Sequence, residues 1–261
     1  AISILRQVSV TGISAMGMFM IILLGDIDLS VGSMYAFIGV VSALIFKTTE
    51  SAVLAIIAAL VIGTGIGFIN GTITARFKIP AFITTLATMS VCSGFAYIIT
   101  KGTPIGVTNP AFTFLGSGYI AGVIPLPIIF MLIVLALGYF TMYKTRFGRH
   151  IYACGGNAQA AKWSGINADK IKVLVFVIAG FLNGFAAIVL AGRLGGGLPS
   201  AGDGSEMDVI TAVVLGGTSM TGGKGKLWGV VLGVLIIGVL TVGLTMVGVS
   251  TYWQNVIKGV I

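Results

Sequence analysis

AVLAIIAALVIGTGIGFI, residues 52–69, carries no charged side chain, and its length decides the fold. A helix rises about 1.5 Å per residue, so a run of this kind nearly crosses a hydrocarbon core of roughly 30 Å. Comparable runs lie on either side of it. They are Val8–Leu24, Leu29–Phe46, Ala81–Ile99, Ile120–Tyr143, Ile171–Leu190, a shorter Val209–Met220, Leu227–Val249, and one that starts at Tyr252 and is cut off by the end of the sequence. The pattern predicts an all-α, polytopic transmembrane helical bundle, a single membrane domain over residues 1–261.

Composition agrees. Of 261 residues, 57% are hydrophobic and 8% charged, with a mean hydropathy of +1.10. A soluble domain carries about 25% charged residues, so this chain has too few polar groups to cover a water-facing surface, and lipid is its solvent. The 39 glycines suit helices that pack backbone to backbone. The net charge of +8 does not imply a nucleic-acid partner, because the basic residues fall in short loops between apolar runs.

Those loops give the orientation. Residues 144–170 hold Lys144, Arg146, Arg149, Lys162 and Lys170, with Lys172 just beyond. An excess of Lys and Arg marks the cytoplasmic side. Alternation then places Arg76, Lys78, Lys224 and Lys226 inside, and Lys47, Glu50, Lys101, Arg193, Asp203 and Glu206 outside. The sequence does not begin with Met and stops within an apolar run. We therefore expect a piece of a longer protein of about ten helices. Nine are at least partly present, with the first and part of the last missing. Gly25, Asp28, Asn70-Gly71 and Gly94 find echoes at Gly192, Asp208, Val242-Gly243 and Gly259, which suggests an inverted-topology repeat of the kind common in transporters.

Chemistry-bearing motifs are sparse. The single His150 has no HxxH or HExxH partner, Cys92 and Cys154 make no disulfide framework, and no GxxxxGK[ST] runs through Gly222-Gly223-Lys224-Gly225-Lys226. No catalytic residue, metal site or cofactor on this chain is expected, and the chain is not read as an enzyme. In the loop 144–170, Asn157 is placed to cap a short helix over Ala158–Ser164 that Gly165 ends. Ala158, Ala160, Ala161, Trp163 and Ser164 then form either a water-exposed helix suited to a groove on another protein or an ordinary loop helix. Trp163 is either an interface anchor or a headgroup-level aromatic. Asp28 and Asp208 are expected to cap helices starting at Leu29 and Val209, the alternative being sugar or proton binding. Asn70, Thr84, Thr85, Thr88, Asn183, Thr211, Gln254 and Asn255 lie within apolar runs, where they either line a polar pathway or bond between helices. The GxxxG spacings Gly63–Gly67–Gly71, Gly180–Gly184 and Gly229–Gly233 predict close helix packing, within the chain or across a dimer.

Four segments carry a resemblance. They are Thr145–Asn157 with Ala160-Ala161 and Ser164–Asn167; Gly25–Ser33; Asn70-Gly71 with Ile79–Leu86; and Val214–Gly225. Together they resemble the ribose/xylose/galactose-type permeases of bacterial ATP-binding-cassette importers over nearly the whole chain. The resemblance implies a permease dimer in the bacterial inner membrane, two cytoplasmic ATPase domains and an extracytoplasmic sugar-binding protein. It also makes residues 144–170 the coupling loop and the cargo a monosaccharide. Arg193, Asp203 and Glu206 become candidates for docking the binding protein. The same architecture with another cargo, such as an autoinducer sugar, a nucleoside or an amino acid, stays open. An ion-coupled carrier fits less well, since no buried carboxylate–His relay is visible.

Overall fold

The computed structural model describes residues 2–120 and 122–260. Twelve helices follow in chain order: α1 Ile2–Leu23, α2 Val31–Thr49, α3 Ala52–Arg76, α4 Ala81–Thr100, α5 Pro110–Ser117, α6 Leu126–Lys144, α7 Arg146–Gly156, α8 Ala158–Trp163, α9 Ala168–Leu194, α10 Ser205–Leu215, α11 Leu227–Met246 and α12 Thr251–Val260. Four two-residue strands form two antiparallel pairs. β1 Ile105–Gly106 meets β4 Gly196–Gly197, and β2 Tyr119–Ile120 meets β3 Ile124–Pro125.

Seven of the described helices are long and apolar enough to cross a membrane: α1, α2, α3, α4, α6, α9 and α11. Each apolar run of the sequence becomes a helix, but Val209–Met220 becomes α10, which at about 1.5 Å per residue reaches only about 16 Å. The run Ile120–Tyr143 starts late, at Leu126, because Pro125 and Pro127 confine the helix start to their own neighbourhood. Two helices come from stretches read as loop. α5 is capped by Asn109, and α7 by Thr145, whose Oγ1 accepts from the Gly148 amide at 3.3 Å. The signal for α7 was present: Phe147, Ile151 and Cys154 repeat at helical spacing and face inward, with Ile151 and Cys154 buried.

α1 and α9 form the centre and run antiparallel. Arg193 meets Gln7, Gly17 lies against Ala179, and Lys172 pairs with Asp26. α3 lies across the other face of α9. A Cβ on Gly63 or Gly180 would come within 2.8 Å of the Cα of Gly184 or Gly67. Gly229 and Gly233 of α11 similarly abut the backbone of Gly216 and Ala212. All three GxxxG spacings therefore serve packing inside the chain, where dispersion between close backbones replaces the hydrophobic drive that lipid removes.

After α1, residues 24–30 make a turn and an irregular stretch before α2 begins; after α9, residues 195–204 make β4 and a series of turns before α10 begins. The segment 195–204 passes along α2, where a Cβ on Gly197 would meet the Val40 Cα at 2.5 Å and one on Gly202 the Gly32 carbonyl at 2.6 Å. The N-termini of α2 and α10 thus meet inside the bundle.

Candidate coupling surface and translocation groove

One end of the bundle is built around α7 and α8. The Asn157 Oδ1 accepts from the Ala160 amide at 2.9 Å, as expected of its cap, and Gly165 takes φ +82° to end the helix. Asn167 caps α9 through the Lys170 amide at 2.9 Å. Ala158, Ala160, Ser164 and Gly165 are exposed, and Trp163 is 80% exposed. Ala161 is the exception: it is buried in its own chain. Lys78 and Asp169 pair at 2.5 Å across the α3–α4 and α8–α9 turns, but both are well exposed, where such pairs contribute little.

α7 ends in a backbone knot. The Gly223 amide donates to the Leu23 carbonyl at 2.8 Å, and Gly155 fits against both, leaving no room for a Cβ beside the Leu23 carbonyl. Gly25, Gly222 and Gly223 all take positive φ, which glycine alone adopts freely. The Tyr152 hydroxyl donates to the Gly225 carbonyl at 2.9 Å, and the Leu227 amide donates to the Tyr143 hydroxyl at 2.9 Å. Asp26 pairs with Lys172 at 2.7 Å; its burial pushes its pKa up, and the ammonium opposes that. The loop bearing α7 and α8 is thereby fastened to the turn that feeds α2 and to the turn that leaves α10.

The start of α2 is the second constellation. Asp28 is buried, and its Oδ1 accepts from the Ser30 amide at 2.8 Å and the Ser30 hydroxyl at 2.6 Å. It therefore organises the turn into α2, although the helix opens at Val31 rather than Leu29. Burial raises its pKa, and the two bonds from Ser30 counter that. Asp208 does not cap α10. That helix starts three residues earlier, at Ser205, because Gly204 at φ +79° provides the turn, so Asp208 falls in the first helical turn. There it still faces the positive end of the helix dipole. Glu206 lies against Gly32 at the start of α2. Burial is the first cause of its raised pKa, with Asp203 and Asp208 adding to it. Arg193, Asp203 and Glu206 consequently do not form one patch: Asp203 is exposed, Glu206 turns inward, and Arg193 donates to Gln7.

The third feature is a groove of about 500 Å³ between α3 and α4. Phe37 and Phe95 wall it, and Asn70, Thr84, Thr88 and Cys92 reach it. The Thr88 hydroxyl donates to the Asn70 Oδ1 at 2.5 Å, while the buried Asn70 Nδ2 has no partner among the described residues. Of the polar residues singled out in the sequence, these three come together. Thr85 turns away, donating to the Ala81 carbonyl and accepting from the Leu29 amide. Asn183 is buried beside Met34, Thr211 is half-buried on α10, and Gln254 bonds Thr245 and the Val249 carbonyl at the α11–α12 turn. The side chain of Asn255 lies outside the described residues.

Against known proteins, a family described as "Branched-chain amino acid transport system / permease component" matches residues 1–261. The chain belongs to this permease family. It is 44% identical to the ribose import permease protein of Haemophilus influenzae, over 100% of this chain and 81% of that one. It is equally similar, 44% with the same coverage, to the ribose import permease protein of Bacillus subtilis. An L-arabinose ABC transporter permease protein of Azospirillum brasilense is 38% identical over 99% of this chain and 76% of its own length. No solved structure matches. The chain is thus a multi-pass permease of the inner membrane, a transport subunit rather than an enzyme.

Proposed function

We propose that this permease translocates a monosaccharide as the membrane subunit of an ATP-driven importer. The observation that carries the reading is 44% identity to ribose import permeases across the whole chain. The groove between α3 and α4 does not decide the cargo: its lining is mostly aliphatic and aromatic, and Asn70 and Thr84 are buried behind it. In this reading a cytoplasmic ATPase engages the exposed face of α8 and moves α7. The knot at Gly155, Leu23 and Gly223 passes that motion to the turn that feeds α2 and to the turn that leaves α10. A second permease copy and an extracytoplasmic binding protein complete the machine, with the exposed Asp203 as the docking charge left on the outer loop. ATP is bound and hydrolysed on the partner chain.

The test is uptake of labelled ribose, arabinose, xylose and leucine by cells expressing the permease together with its cognate ATPase and binding protein. Uptake of a pentose that needs ATP is expected. Leucine uptake without sugar uptake would overturn the cargo, and sugar uptake that persists without the ATPase would overturn the energy source.

A further inference from the structure

At the end of the bundle that the charge pattern places outside, a cavity of about 680 Å³ opens between α1, α9 and α11. Arg6, Gln7, Arg193, Thr241, Thr245 and Met246 line it. Two guanidinium groups therefore share one partly buried space. Neither has a carboxylate: among the described residues the ion pairs are Lys78–Asp169 and Lys172–Asp26. Arg6 is held by neutral groups, donating to the Gly116 carbonyl at 3.2 Å and the Tyr119 hydroxyl at 3.3 Å, with the Tyr119 ring 5.5 Å from its guanidinium carbon. Arg193 donates to Gln7. An arginine has five N–H donors, so several on this pair remain unassigned. The Thr241 hydroxyl oxygen is buried without a partner among the described residues and faces the same region.

Two like charges brought partly out of water repel one another, and each loses hydration, so the site is stabilised by an anion that accepts from both. Guanidinium forks match phosphate oxygens in pairs. The depth points to the source. Arg193 is one residue from the end of α9, Arg6 is in the second turn of α1, and Thr245 is in the last turn of α11, which is where headgroup phosphates of the outer leaflet lie. From Met246 an apolar stripe descends α11 through Val239, Ile236 and Leu232, all exposed. A second, shallow groove of about 600 Å³ follows this helix and includes the same three residues. We propose that the Arg6–Arg193 cavity binds the phosphodiester headgroup of an anionic phospholipid, with an acyl chain along the α11 stripe. The cavity lining holds two cations and no acid, so the cationic end of a zwitterionic lipid finds no partner there.

The proposal is independent of the cargo. Its test is thermal unfolding and native mass spectrometry of the full-length protein extracted in a neutral maltoside. Phosphatidylglycerol, phosphatidylcholine and inorganic phosphate are added in turn. Phosphatidylglycerol is expected to raise Tm and to remain bound, while the other two do so weakly. R193Q should weaken phosphatidylglycerol binding about tenfold, the scale of one lost charge-assisted pair. R193K should retain most of it, and K101Q, an exposed outer cation elsewhere, should leave it unchanged. Equal stabilisation by phosphatidylcholine would reduce the site to its apolar track and overturn the proposal. So would equal stabilisation by inorganic phosphate. If R193Q aggregates, the ranking of the three ligands on wild-type protein decides alone. A secreted sugar-binding protein that binds wild-type but not R193Q, with phosphatidylglycerol inert, would assign the arginines to a protein partner and also overturn it.

Discussion

Glu206 sits where a carboxylate is costly, packed on Gly32 at the start of α2 with Asp203 and Asp208 nearby. Its pKa is raised above the ordinary value chiefly by burial, so the fold holds the proton more tightly than the unfolded chain does. The wild type therefore gains stability as pH falls through that raised pKa and loses it as pH rises. Glu206→Gln removes the titration. Its Tm is expected to exceed that of the wild type near pH 8, with the gap closing toward pH 5. A gap that does not vary with pH would show that Glu206 is not buried as a charge. Asp28 differs in being used: two donors from Ser30 converge on one oxygen. Asp28→Ala should cost about 1–3 kcal/mol by orphaning the buried Ser30 amide, whereas Asp28→Asn, which keeps an acceptor, should cost less in the same chemical-unfolding assay.

At the scale of elements, α8 presents a face and the α7 terminus transmits. Ala161 lies inside, so a charge there would disturb the loop itself; Ala160 and Trp163 are the positions that read out a partner. Ala160→Asp and Trp163→Ala are expected to reduce co-purification of the ATPase and sugar uptake by tenfold or so, as truncation of an interface anchor does, while expression and thermal stability stay at wild-type values. Undiminished co-purification in both would remove α8 as the contact. The knot gives a second prediction with an internal control. A Cβ at Gly155 would collide with the Leu23 carbonyl, whereas one at Gly156 meets nothing within 4 Å. Gly155→Ala should cost about 1–3 kcal/mol and lower sugar transported per ATP hydrolysed, and Gly156→Ala should do neither. If the two variants behave alike, the knot is not the path of the motion.

For the whole molecule, the links between distant segments agree with the charge count. Lys78–Asp169 and Tyr152–Gly225 tie residues to one end, and Ile105–Gly197 and Arg6–Gly116 tie residues to the other. Single cysteines placed at Lys162 and Lys101 in a chain lacking Cys92 and Cys154 should be labelled by a membrane-impermeant maleimide in intact cells at 101 and not at 162. The reverse pattern would invert the protein.

What the sequence determined by itself was the solvent and most of the spans. These follow from properties additive along the chain: eighteen-residue apolar windows, the placement of Lys and Arg, and caps such as Asn157 and Asn167 that act within three residues. Even α7 was within reach, through Phe147, Ile151 and Cys154, had its glycines and arginines not masked the period. The tertiary structure decided the rest. Nothing local says that Thr88 bonds Asn70 while Thr85 turns to Leu29, that Gly223 closes on Leu23 and Gly155, or that Glu206 turns inward while Asp203 stays in water. Arg193 looked like a surface charge until α1 brought Arg6 into the same cavity. Each of these contacts joins residues far apart in the chain or depends on where a backbone passes. Such an energy is a property of the packed pair, and neither partner's sequence neighbourhood carries it.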